Sequence, residues 1–364
     1  MAAVAPTHDP DPLRQRAARA YGRSRRRLWL SGSAAGLAGL AAVVAATRAL
    51  GGVWGVGLLA ALPLLVNTPF ALAGHRLARR FGLSRQTTAG WLADQAKAWA
   101  VGAVIGVVAG AGLLGLQRWL PAGWPAAAWL AALALETVLA VVFPVLLLPL
   151  FVRSERLDPG PLRAALLDTC AAAGVVAGDL RLLRMGEKTA AANAMVAGLG
   201  PTRRIYVGDT LTERHDETED DVLVRARVVL AHELGHHVHH DQLRLLGLEA
   251  ARTAVAVAGL AAGVALLAPD GAGHLSSLPG ALLGFAVGSA LTSPVSAWYS
   301  RRRERSADRF ALDLTGTGEP VARTFERLAW QNLAELEPPP LLHALTGSHP
   351  TLRERIETAR LGPA

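Results

Sequence analysis

Apolar residues in this chain are gathered into six blocks of about twenty, and this grouping limits the possible folds more than any other feature. The blocks run roughly over 28–50, 52–74, 98–118, 126–150, 246–268 and 278–300. A helix of that length, rising ~1.5 Å per residue, crosses the ~30 Å hydrocarbon layer of a bilayer. Spread evenly, 364 residues that are 51% hydrophobic would suit one large or two ordinary soluble domains. Their clustering instead predicts an α-helical polytopic membrane protein.

The formal charge of +8 invites a nucleic-acid partner, but its placement excludes one. Arg14, Arg16, Arg19, Arg23, Arg25, Arg26 and Arg27 precede the first block. Arg76, Arg79, Arg80 and Arg85 follow the second, and Arg301, Arg302 and Arg303 follow the sixth. The loops between, near 47–52, 119–125 and 269–277, carry little charge. Basic residues crowding alternate loops mark the cytoplasmic side. The amino terminus, the 75–97 loop, residues 151–245 and the tail are therefore expected in the cytoplasm of a plasma-membrane protein. Cys170 is the only cysteine, which leaves no internal disulfide and no cysteine metal cluster. The first apolar run exceeds the usual signal-peptide length and reads as an uncleaved span.

Five segments follow. Residues 1–27 form a basic arm, with 1–13 disordered and 14–27 a short helix lying on the anionic leaflet. Residues 28–150 hold four transmembrane helices, 151–245 a small α+β portion, 246–300 two further spans, and 301–364 carboxyl-terminal helices. Glycines recur four apart at 32 and 36, 51 and 55, 102, 106 and 110, 259 and 263, and 284 and 288. This spacing predicts close helix contacts. Glu136, midway along the fourth span, is expected to face the bundle interior. In the α+β portion a helix opens near Asp158, and strand-like runs cover 180–185, 193–199 and 204–208. The turn residues GLGPT join the last two as a hairpin, and NAMVAGL has the alternation of a free sheet edge.

A helix beginning near Val222 carries HELGH at 232–236. Residues four apart share one helical face, so His232 and His236 can reach one zinc ion, with Glu233 beside them as general base. The third ligand must come from elsewhere. His240 lies about 12 Å from His232 along the axis, too far for one ion. The longer HExxHxxGxxH form fails because its positions hold His239 and Gln242. Glu304, in RRRERSADRFALDL, is the strongest candidate, with Asp308 one turn on to orient a ligand histidine. Spacing alone equally allows Glu304 as an ordinary surface charge.

FGLSRQT at 81–87 with Asp94 and Lys97, PLF at 149–151, NAMVAG at 193–198, IYVGDTL at 205–211, HELGHH, ERSADRFAL and SHPTLRERI occur in the order seen in one family. Over about residues 50–360 the chain resembles the type I CAAX prenyl proteases, integral-membrane zinc endopeptidases with HExxH and a distal ExxxD. The resemblance implies that Glu304 is the third ligand and Asp308 its supporting carboxylate. It places His349 and Arg355 near the cleaved carbonyl, and Asn193 with Ala194 beside the cleft. It also implies a chamber walled by membrane helices, with zinc at its cytoplasmic side. The implied function is hydrolysis of membrane-associated or lipidated peptides; the partners are a peptide substrate and the bilayer, the oligomeric state being open. Two departures stand out: one span fewer than eukaryotic members, and Met195 where an aromatic residue is usual. The nearest rival is a heat-shock-type membrane protease that degrades misfolded membrane proteins. A non-catalytic metal sensor or scaffold would have no use for Glu233.

Overall fold

Each apolar block falls almost entirely within a longer helical rod in the computed structural model, which describes residues 11–176, 179–197, 204–214 and 217–362. α1 (Pro12–Leu50) leads to α2 (Gly52–Leu62) and α3 (Thr68–Arg80), then α4 (Thr88–Trp119), α5 (Trp124–Val142) and α6 (Leu148–Phe151). Single π turns at Pro63–Asn67 and Phe143–Leu147 join α2 to α3 and α5 to α6. A proline lacks the N–H and crowds the carbonyl four residues back, and the wider turn absorbs both defects without ending the span. After the α+β portion come α7 (Pro161–Ala172), α8 (Glu219–Val238), α9 (Asp241–Leu267), α10 (Ser277–Thr315), α11 (Glu319–Gln331), α12 (Pro340–Thr346) and α13 (Leu352–Leu361). Among the described residues six helical rods are long and apolar enough to cross a membrane, and they coincide with the six blocks.

Three expectations change. The basic arm is not a separate helix on the leaflet. Nothing between Arg23 and Leu28 breaks the helix, so α1 runs straight on into the water. Its inner face is covered by protein: Ala18 is fully buried beside Leu83 and Leu333, Arg14 Nε donates to the Trp330 carbonyl at 2.9 Å, and Arg26 pairs with Glu335 at 2.6 Å. Second, α7 starts at Pro161, not near Asp158, because Pro159 holds its predecessor extended and Gly160 is extended too (φ 163°). Third, only some of the glycine spacings are contacts. Gly102 and Gly106 face open space, and Gly110 meets only Leu278 at 3.9 Å. Gly259 and Gly263 instead lie on Gly284 and Gly280, where any added Cβ would collide with a backbone carbonyl, and Gly288 lies against Ala256. This seam fixes α9 to α10.

The small sheet runs in the order β1 (Ser154–Arg156), β2 (Asp179–Leu183), β4 (Arg204–Gly208), β3 (Ala194–Ala197). β2 and β4 are parallel and the outer pairings antiparallel, so β3 is an edge. The turn expected between β3 and β4 lies outside the described residues, as do residues 1–10. Leu180, Ile205 and Val207 pack with Leu166 of α7 and Ala226, Leu230 and Leu234 of α8 in one core. Burying such side chains contributes ~1.5–3 kcal/mol each. Several links tie this portion to the first membrane block. The Pro144 carbonyl accepts from the Tyr206 hydroxyl at 2.8 Å, and the Leu83 carbonyl accepts from Ala190 N at 2.9 Å. Asp94 also meets Lys188 there.

Candidate metal centre

α8 is nucleated by Thr218, whose hydroxyl accepts from Asp221 N while the Asp221 carboxylate takes the Thr218 N–H. Three acidic residues fill its first turn, where they match the helix dipole. Its apolar face enters the core under the sheet, which leaves His232, Glu233 and His236 toward α10. Gly235 permits the approach of that helix: an added Cβ would sit 3.0 Å from the Ala307 Cα.

α10 is the surprise in this region. The ERSAD segment, expected among separate carboxyl-terminal helices from residue 301, is the unbroken continuation of the last span. Its 39 residues extend about 58 Å, nearly twice the hydrocarbon thickness, so the outer turns stand clear of the membrane and carry Glu304 and Asp308 to α8. Glu304 reaches both histidines, Oε2 lying 3.2 Å from His232 Nε2 and Oε1 3.4 Å from His236 Nε2. One ligand atom from each of the three lies within 4.8 Å of the others.

The other ring nitrogens are occupied. His232 Nδ1 is 2.9 Å from Asp308 Oδ1, which also takes Arg355 Nη2 at 2.6 Å. His236 Nδ1 is 2.9 Å from Asp241 Oδ2, whose Oδ1 takes Arg303 Nε at 2.6 Å. Each histidine thus has its own carboxylate–arginine support, and each keeps Nε2 for the shared centre. Two imidazole nitrogens and a buried carboxylate whose Oε2 lacks a hydrogen-bond partner fit a divalent metal of zinc type.

Charge reinforces the geometry. Burial opposes a proton on His232, but the adjacent Asp308 and Glu304 carboxylates outweigh it and push the pKa up to about 9. His236 moves the same way: burial opposes it, and Glu304 and Asp241 overcome it. The cluster therefore attracts positive charge strongly, as a site for a metal ion would. Burial raises the pKa of Glu233, which strengthens it as a base.

Asp241 is the residue that sequence reasoning missed. It is fully buried and follows His240, which sits in the left-handed region at φ 52°. That one residue stops α8, starts α9 and folds Asp241 back onto His236. The same break takes His240 out of line as a ligand.

The remaining expected residues gather around a cleft of about 480 Å³ lined by Asn193, Ala194, His232, Glu233, His349 and Arg355. His349 stands at its mouth, with Nε2 3.5 Å from Glu304 Oε2 and Nδ1 2.8 Å from the Ser348 hydroxyl. Burial, then the neighbouring Arg355 and His232 cations, hold its pKa below the usual value. Arg355 is engaged mainly with Asp308 and stacks over Phe325 at 4.5 Å. Asn193 precedes β3, not opening it, and its carbonyl accepts from Gly208 N. Val196 N–H points the other way, toward Glu233 Oε2 at 3.4 Å. Ala194 shares the parity of Val196, so the free edge of β3 looks onto Glu233. Glu136 accepts from the Thr253 hydroxyl at 3.0 Å, a contact between α5 and α9 away from this cleft.

Residues 163–361 match the sequence profile of Peptidase family M48. The chain belongs to Peptidase family M48. Residues 27–153 of this M48 protein match a second profile, described as the CAAX prenyl protease N-terminal region with five membrane helices, where this chain has four. Among curated relatives, it is 29% identical to the uncharacterized metalloprotease YhfN of Bacillus subtilis, over 84% of this chain and 72% of that one. It is 23% identical to CAAX prenyl protease 1 of Saccharomyces cerevisiae, over 83% and 70%. The crystal structure of S. mikatae Ste24p shares its fold, with a TM-score of 0.78 at 20% identity, covering 96% of this chain and 89% of the other. The protein is thus a multi-pass M48 metalloprotease with a Ste24p-like fold.

Proposed function

We propose that this M48 protein is a zinc endopeptidase that cleaves membrane-associated or lipidated peptides at the cytoplasmic surface. The observation that carries the reading is the position of Glu233, between the His232–His236–Glu304 cluster and the free edge of β3. Those three residues would hold a zinc ion, which would supply Lewis acidity for the scissile carbonyl and for a nearby water. Glu233 takes the proton of the attacking water and later delivers one to the leaving amine. Asp308 and Asp241 fix the imidazoles, so that Nε2 of each faces the centre. The outward N–H and C=O groups of Ala194 and Val196 receive an extended substrate as a further strand, and the Asn193 amide, able to donate and accept, holds one more peptide unit. His349 and Arg355 supply hydrogen-bonding and positive charge where the oxyanion develops.

The arginine-rich alternate loops support the cytoplasmic side, and the profile match over residues 27–153 favours a prenyl-protease-like substrate over general quality control. The test is Glu233→Gln in purified full-length protein, offered matched peptides with and without a prenyl chain. Metal content stays near that of the unaltered protein while cleavage falls by about 10²–10⁴-fold. A metal-loaded variant that cleaves at a near-normal rate overturns the assignment, and equal cleavage of both peptides removes the lipid from the substrate description.

A further inference from the structure

A second cavity, of about 690 Å³, opens beside the catalytic cleft where α1 and α10 leave the membrane, and the two share Glu335, Pro338, His343 and Thr351. Its walls carry Arg19, Arg23 and Arg26 of α1 and Arg301 and Arg305 of α10. Three carboxylates line it too, but each already has a partner. Glu335 takes Arg26 at 2.6 Å, Glu354 takes Arg305 at 2.6 Å, and Glu337 pairs with Arg353 outside the cavity. Arg19, Arg23 and Arg301 have no carboxylate partner among the described residues. Arg301 is nonetheless held in place, because its guanidinium donates to the carbonyls of His343 at 3.0 Å, Gly347 at 2.6 Å and Ala344 at 3.0 Å. Those bonds fix its geometry and leave its charge unmatched. Burial and then the Arg301 charge also hold His343 below its ordinary pKa.

Depth identifies the kind of ligand. With the hydrocarbon edge at Leu28 and Ser300, helical rise puts Arg301 and Arg26 about 1.5–3 Å below it and Arg23 and Arg305 about 7–8 Å below. A headgroup layer is ~5–7 Å deep on each side. Four of the five guanidinium groups therefore stand at or just below the level of lipid phosphates, beside the apolar run Pro338–Pro340. Planar guanidinium groups bind phosphate oxygens through paired hydrogen bonds. We propose that this cavity binds the headgroup of an anionic phospholipid drawn from the adjacent leaflet. Such a lipid bridges α1 and α10 and braces the 335–351 segment, which ends at the His349 wall of the cleft. The proposal rests on the membrane-crossing fold, not on the proteolytic reading.

The test uses full-length protein in neutral detergent, titrated with phosphatidylglycerol, with phosphatidylcholine or with inorganic phosphate, and followed by thermal unfolding and by native mass spectrometry of retained lipid. Phosphatidylglycerol raises the unfolding midpoint and stays bound, and phosphatidylcholine does neither. Arg23→Gln, which changes one exposed side chain near headgroup depth, weakens the response about fivefold. Arg80→Gln removes equal charge from the end of α3 on the same face and leaves the response unchanged. Equal weakening by both variants overturns the site in favour of diffuse surface attraction. Inorganic phosphate that stabilises as well as the lipid, or retention of acid-ended peptide in place of lipid, overturns the choice of ligand.

Discussion

The third span and the last helix pair use small residues in opposite ways. In the first four spans the helices barely cover one another: the most apolar stretch of the second span has no buried residue, and that of the third only 6%. Gly102 and Gly106 there look into open space. In the last pair, 28% and 22% of the corresponding stretches are buried, and Gly259, Gly263, Gly280, Gly284 and Gly288 bring two backbones into contact. The same four-residue spacing is a packing device only where a partner helix presents a matching groove. The seamed pair is the frame from which Glu304 reaches His232 and His236.

The contrast breaks most readily at the seam. Gly263→Leu forces α9 and α10 apart and costs about 3 kcal/mol, with loss of bound metal, because no flexible side chain can yield there. Gly106→Leu, in open space, stays within about 0.5 kcal/mol. Thermal unfolding with metal analysis on both variants decides it, and similar effects at the two positions refute the division.

A smaller effect sharpens the distinction. Asp241→Ala lowers metal affinity by about 10–100-fold, measured by competition with a chromophoric chelator. Asp241→Asn keeps an oxygen for His236 Nδ1 and recovers most of that loss, which a merely structural role of the carboxylate would not allow. Asp94→Asn in the first block leaves the affinity unchanged. A full defect in Asp241→Asn, or none in Asp241→Ala, removes Asp241 from the support of the metal.

The smallest effect is one of pH. Because His232 is pushed up from 6.5 to about 9 in the folded protein, its proton favours folding. In metal-stripped protein that contribution is complete below about pH 6.5 and is lost as pH rises through about 9, lowering the unfolding midpoint by ~2–4 °C or more. With metal in the proton's place the decline disappears. A metal-free protein whose stability rises over that interval contradicts the assignment.

What the sequence made legible was local. Six apolar runs, the i, i+4 histidines of HELGH, and the one-turn spacing of Glu304 and Asp308 are read from short-range periodicity, and each lies on a helix in the structure. What escaped depends on where a helix stops or what covers it. Asp241 is five residues from His236, off its face in a continuous helix, and comes to Nδ1 only because His240 turns left-handed. The basic arm reads as lipid-facing because its cover, Leu333 and Glu335, lies more than 300 residues away. Gly102 and Gly259 look alike in sequence, and only the neighbouring helix distinguishes them.

That covering of α1 has a consequence for the timing of biosynthesis. Arg14 and Gln15 leave the ribosome long before their partners, for their bonds go to Trp330, Ala334 and Leu336, 316–321 positions later. At roughly 5–20 residues per second, those bonds wait for about 15–60 seconds before their partners exist. Glu304 and His349 arrive in that same final interval. A chain still being translated is therefore a membrane protein whose α1 arm lacks these bonds until residues 330–336 have been made.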